Sequence, residues 1–161
     1  MIEASIDNLL TIFNENSNKR ICVLGTTCTG KTTLINELKI GVDMDKEIFP
    51  LLTQQETDYV CSTPWTEEIG EKMDEFVRTK LSINLGSPMF GTVLLDCDLI
   101  VYLHISDELL LERTKLRNAD FMNAKNMQKK IEDEIRNSGL DIIILEVIDN
   151  KKKVTRWKKH F

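Results

Sequence analysis

One stretch of this chain carries residue types whose spacing predicts a definite chemistry. It is Gly25-Thr26-Thr27-Cys28-Thr29-Gly30-Lys31-Thr32, followed by Thr33. It fits G-x-x-x-x-G-K-[ST] at every defined position, the pattern of a main-chain cradle for phosphate groups. Gly25 and Gly30 permit backbone angles that turn successive N–H groups inward around an anion. Lys31 supplies an ammonium for the β- and γ-phosphates, and Thr32 a hydroxyl for Mg²⁺. A helix starting there points the positive end of its dipole at the same place. Residues 25–33 are therefore the expected nucleotide-binding segment.

A second candidate lies some 80 residues downstream. Arg113 and Arg117 stand at i and i+4, which puts both guanidinium groups on one helix face, with Lys115 off to the side. Phosphoryl transfer spreads negative charge over three oxygens, and fixed cations stabilise it. The competing reading is a solvated helix face with Glu108 and Glu112 as local partners. Asp96, after the apolar Val93-Leu94-Leu95, resembles a carboxylate that holds Mg²⁺ through water, although only Cys97 and Asp98 separate it from the next apolar run. Arg78 offers a cation to an anionic acceptor or caps its helix, and Trp65 and Tyr59 offer rings for stacking or for packing.

The elements that must position these residues follow from hydrophobic period. Ile2, Ile6, Leu9, Leu10 and Phe13 predict an opening amphipathic helix. The run 21–25 is apolar on both faces, as a buried parallel strand is, and a helix follows it as far as Gly41. Residues 42–45 read as a short second strand ending in acids, 64–81 as a helix, 99–106 as the clearest strand and 141–149 as the last. Helices are expected over 107–118 and 120–138, with Asp107 and Asp120 as N-caps. Either 58–63 or 89–96 supplies the strand beside the first one. Strands alternating with helices predict an α/β fold, three layers deep, around a mainly parallel sheet of about five strands. At 161 residues a single domain is expected.

The passage 97–118, an acid, LIVYL, a short loop and a helix bearing Arg-x-x-x-Arg, resembles the strand-then-lid passage of the nucleoside-monophosphate-kinase and shikimate-kinase group of P-loop phosphotransferases. The resemblance implies a P-loop NTPase sheet, ATP and Mg²⁺ as cofactors, and a lid-like segment at about 107–120 whose arginines close over the nucleotide. It implies that Asp43 or Asp45 orders the metal or contacts the acceptor hydroxyl, where a carboxylate can orient a nucleophilic oxygen. It implies a purine site near Asp149-Asn150-Lys151. The expected activity is transfer of the γ-phosphoryl group of ATP to a small-molecule acceptor: a nucleoside, a nucleotide or a small hydroxy compound. The alternative is a regulatory nucleotide-binding module or an ATPase without phosphotransferase activity. The group's double-glycine acceptor loop and its DGFPR signature are absent, so the acceptor is not named by motif.

Other classes are disfavoured. None of the glycines has an Asp three residues before it, and Asn150-Lys151-Lys152-Lys153 lacks the acid of a guanine reader, which argues against a GTPase switch. No apolar run approaches the roughly 20 residues of a membrane span, and the acidic N-terminus lacks a secretory signal's basic region. Four cysteines without metal-ligand spacing predict reduced thiols, hence a cytoplasmic protein. The last twelve residues hold six Lys or Arg and no acid, against a net charge of −5 for the whole chain. Nucleic-acid binding through that tail is the weaker reading beside a solvated terminus. Nothing in the sequence speaks to oligomeric state.

Overall fold

The computed structural model describes residues 2–149. The basic tail and the Asn150-Lys151 part of the expected purine site lie outside the described residues. The strands are β1 (Ile2–Glu3), β2 (Ile21–Leu24), β3 (Val42–Asp43), β4 (Met89–Gly91), β5 (Leu99–His104) and β6 (Asp141–Glu146). They form one all-parallel sheet in the order β1-β6-β5-β2-β4-β3. The helices are α1 (Ile6–Glu15), α2 (Lys31–Leu38), α3 (Met44–Ile48), α4 (Gln54–Val60), α5 (Glu67–Lys80), α6 (Asp107–Leu116) and α7 (Phe121–Ser138).

The central strands are apolar on both faces because both faces are covered. Ile21, Val23, Leu99, Val101 and Leu103 pack with Leu9, Ile12 and Phe13 of α1 and with Leu110 of α6. On the other face Cys22, Leu24, Ile100 and Tyr102 pack with α3, with Phe76 and Val77 of α5, and with Ile131 of α7. The chain leaves β2 toward β3 and β4 on one side, then crosses to β5 and β6 on the other. The carboxyl end of β2 is thus the switch point of the sheet, the place where open α/β sheets form a ligand crevice.

Three expectations are refined. The opening helix begins later: Ser5 caps it by accepting the Asn8 N–H at 3.2 Å, which leaves Ile2–Glu3 free to pair with Leu145 and Glu146 as a sixth strand. The strand beside β2 is Met89–Gly91, whereas most of 58–63 belongs to α4 and its cap Cys61. That helix is started by Thr53 and Glu56, each side chain accepting from the other's backbone N–H. Finally, α6 is seated on the core by Leu110 and Thr114, and only Arg117, Asn118, Ala119 and Asp120 connect it to α7. The 107–120 segment is a packed helix with a short connection rather than a long flap. Among the described residues no helix is long and apolar enough to cross a membrane, and the four cysteines are unbridged.

Candidate functional site

The glycine loop leaves the carboxyl end of β2 and enters α2. Gly25 donates its N–H to the Gly91 carbonyl at 3.2 Å, which ties the loop to β4. A Cβ at Gly25 would lie 2.8 Å from Thr29 Oγ1 and 3.2 Å from Leu103 Cβ, so the turn closes too tightly for a side chain. Gly30 caps α2 at φ 91°, and Cys28 holds φ 71° without being glycine. Left-handed residues set among right-handed ones turn consecutive amides to one side. Among the described residues, the N–H groups of Thr26, Thr27, Cys28, Thr29 and Gly30 meet no backbone acceptor.

The loop is braced from behind. Thr26 Oγ1 donates to the Ala124 carbonyl at 2.6 Å, and Thr29 Oγ1 donates to the Thr26 carbonyl at 2.9 Å. Both hydroxyls are buried and committed, so they hold the loop's shape, while Thr27, Thr32 and Thr33 stand exposed. Lys31 Nζ lies 2.6 Å from the Gly25 carbonyl, 2.8 Å from that of Thr26 and 3.2 Å from Thr29 Oγ1. Burial lowers its pKa to about 8; Asp45 and Asp43 oppose the shift, and the positive charge of Arg117 adds to it.

Arg113 donates to the Cys28 carbonyl at 3.0 Å and to the Ile148 carbonyl at 3.2 Å. It therefore spans from the glycine loop to the segment after β6. Burial, and then the neighbouring Arg117, push its pKa down. Arg117 thus acts on both Lys31 and Arg113, and such a gathering of positive charge attracts anions.

On the opposite side stand the acids after β3. Asp43 Oδ1 accepts the Asp45 N–H at 2.9 Å and so caps α3. Burial, with Asp43 next in importance, raises the Asp45 pKa against the pull of Lys31. Thr32 and Asp43 line the same small cavity of about 170 Å³. Among the described residues no three His, Cys, Asp or Glu side chains gather into a metal cage. Thr32 and Asp43 supply one hydroxyl and one carboxylate, donors of the kind Mg²⁺ takes together with phosphate oxygens and water.

A larger cleft, about 570 Å³, opens between α5 and α7. Its lining includes Thr92, which follows β4, and Met127, whose sulfur is 3.8 Å from Thr27 Oγ1. The cleft thus adjoins the glycine loop. Trp65 belongs to its wall, whereas Tyr59 lies exposed on α4 and is not part of it.

Two candidates are not brought to this edge. Asp96 pairs with Arg20 at 2.9 Å, and Arg20 also holds Asp98 through its backbone N–H and its side chain. These residues precede β2 and β5, and Ile21 pairs with Leu99, so Asp96 lies at the amino edge of the sheet. The glycine loop lies at the carboxyl edge, and Asp96 is withdrawn as a metal ligand. Two residues are too few for a helix between 96 and 99, so the chain enters β5 from the far edge. Arg78 is likewise engaged, by Glu134 of α7 at 3.0 Å, and does not line the cleft. Conversely, no local pattern shows that Ala124 and Met127 of α7 touch the loop, since that depends on where α7 crosses the sheet edge. Glu67, Glu71 and Asp74 were likewise not singled out, although their spacing puts them on one helix face. In comparison with known proteins, the chain matches no family model and no curated protein sequence.

Proposed function

We propose that the protein is a P-loop phosphotransferase that binds ATP at residues 25–33 and transfers its γ-phosphoryl group to a small molecule held between α5 and α7. The observation that carries this reading is the row of amides from Thr26 to Gly30 without backbone acceptors, set beside the ammonium of Lys31. Amides so arranged, at a helix N-terminus, suit a polyphosphate.

Each residue has a role in that reading. The loop amides hold the β- and γ-phosphates, and Lys31 exchanges its bonds to loop carbonyls for bonds to phosphate oxygens. Arg113 holds the loop in place, and Arg117 stabilises the charge that develops on the transferred group. Thr32 and Asp43 would hold Mg²⁺, which supplies charge neutralisation when bound. Asp45, whose pKa is raised, is poised to orient an acceptor hydroxyl. The preference for ATP over GTP rests on the missing guanine reader and on the resemblance.

Incubation with ATP, Mg²⁺ and a panel of hydroxylated small molecules tests the reading. It predicts ADP formed one-for-one with a new phosphorylated product. The second reading, a nucleotide-binding module or ATPase without an acceptor, is favoured by the short connection from Arg117 to Asp120, which offers little cover against water. ADP and inorganic phosphate in every incubation, with no phosphorylated product, decides for it.

A further inference from the structure

The cleft between α5 and α7 has a charge that selects its occupant. Its volume of about 570 Å³ falls within the range of small-molecule sites, roughly 300–1,000 Å³. Glu67, Glu71 and Asp74 line the α5 wall, and the one cation in the lining is Lys130 on the α7 wall. That cation is already engaged, since Lys130 Nζ lies 2.7 Å from Asp74 Oδ2. Glu67 and Glu71 have no ion pair among the described residues. Of the other cations on α5, Lys72 pairs with Glu75 and Arg78 with Glu134, and neither lines the cleft.

An anionic acceptor would therefore sit against two uncompensated carboxylates, with no free cation in the lining to hold it. Trp65 contributes the remaining feature. Its indole lies against Gly70, where an added Cβ would be 2.5 Å from Trp65 Cζ2, and it stays 62 % exposed. A carboxylate pair beside an accessible indole is a recognition set for an ammonium group, through charge and cation–π attraction. Asn123 and Asn126 supply amides for hydroxyl groups.

We propose that this cleft binds a small hydroxylated amine, an amino alcohol or amino sugar carrying positive charge, and discriminates against phosphorylated and carboxylated compounds. The inference rests on the phosphotransferase reading for the step that follows binding. In that step an acceptor hydroxyl oxygen forms a bond to the γ-phosphorus and the bond from that phosphorus to the β,γ-bridging oxygen breaks. ADP leaves with the electron pair, and the hydroxyl proton passes to water.

The test has two readouts on the full chain: binding by calorimetry in the presence of Mg²⁺ and a non-hydrolysable ATP analogue, and transfer with ATP itself. The probes are ethanolamine and glucosamine, against glucose, glycerate and AMP. Binding of an amine probe at least tenfold tighter than glucose, and of neither anion, is expected. Glu71→Lys, on an exposed turn of α5, is expected to weaken amine binding tenfold or more and to leave binding of the ATP analogue unchanged. Amine binding without transfer would uphold the proposal and overturn the phosphotransferase reading. Binding of AMP or glycerate with equal or greater affinity, or binding of no amine probe, would overturn the proposal, and transfer to an anion would do so while upholding the phosphotransferase.

Discussion

Lys31 Nζ lies 2.6 Å from the main-chain oxygen of Gly25, the first residue of the loop that the lysine ends. The ammonium thus closes the loop on itself, with Thr26 and Thr29 completing its hydrogen bonds. In the proposed reading a phosphate entering the loop takes over a cation that is already in place, buried and within the field of Asp45 and Asp43.

That arrangement has a pH signature. Burial lowers the Lys31 pKa to about 8, and an adjacent polyphosphate raises it again. Above that value part of the free protein carries neutral Lys31, so ATP binding should take up protons. Calorimetry at pH 8.5 in buffers of different ionisation enthalpy measures the uptake, which should vanish below pH 7 and in Lys31→Met. For folding the sign is opposite to that of a stabilised cation. Between pH 8 and the ordinary 10.5 the unfolded chain binds more protons at this site than the native one. This group's contribution to stability therefore rises across that window as pH increases.

Arg113 joins two main-chain oxygens from distant parts of the chain, those of Cys28 and Ile148. A hydrogen bond to a charged group contributes about 1.5–3 kcal/mol. Arg113→Ala should weaken ATP binding about 10- to 100-fold. Arg113→Lys should not restore it, because one ammonium lacks the fork that reaches both oxygens. Arg117→Ala should instead lower kcat more than it raises KM, and steady-state kinetics on the two variants separates the roles.

Gly91 of β4 packs against Met44 of α3, and a Cβ there would run into the Met44 side chain. Gly91→Ala overpacks this contact and should cost about 1–3 kcal/mol. Met44→Ala makes a cavity of its own, yet the double variant should be more stable than the sum of the two losses. Urea denaturation of the four proteins in the cycle measures the coupling.

Asp96 pairs with Arg20 at the edge of the sheet remote from the loop. Asp96→Asn should therefore leave the Mg²⁺ dependence of ATP binding unchanged, whereas Asp43→Asn should shift the half-saturating Mg²⁺ concentration upward several-fold. Titrating Mg²⁺ at fixed ATP distinguishes the two residues.

The parts of this architecture that were legible in the sequence are those fixed by local chemistry. The apolar runs of β2, β5 and β6 need cover on both faces, and Thr66 and Asp120 announce the starts of α5 and α7. The glycine loop was legible because its geometry depends on residues adjacent in the chain. The α4 helix is also encoded, in Thr53 and Glu56, but its weak apolar pattern masks it. Asp96 misled because a carboxylate after an apolar triplet says nothing of which end of the sheet it meets. That is settled by the pairing of Ile21 with Leu99, a contact across 78 residues. The cleft depends on α5 facing α7 through Asp74–Lys130 and Arg78–Glu134, pairs that no local pattern reveals.

The amides of Thr26 to Gly30 can be observed one by one in ¹H–¹⁵N NMR spectra as Mg²⁺·ATP is added. The account predicts large downfield movements confined to these amides and to those opening α2, reproduced by inorganic tripolyphosphate and lost in Lys31→Met. Resonances of residues 26–30 that stay in place at saturating nucleotide would contradict it.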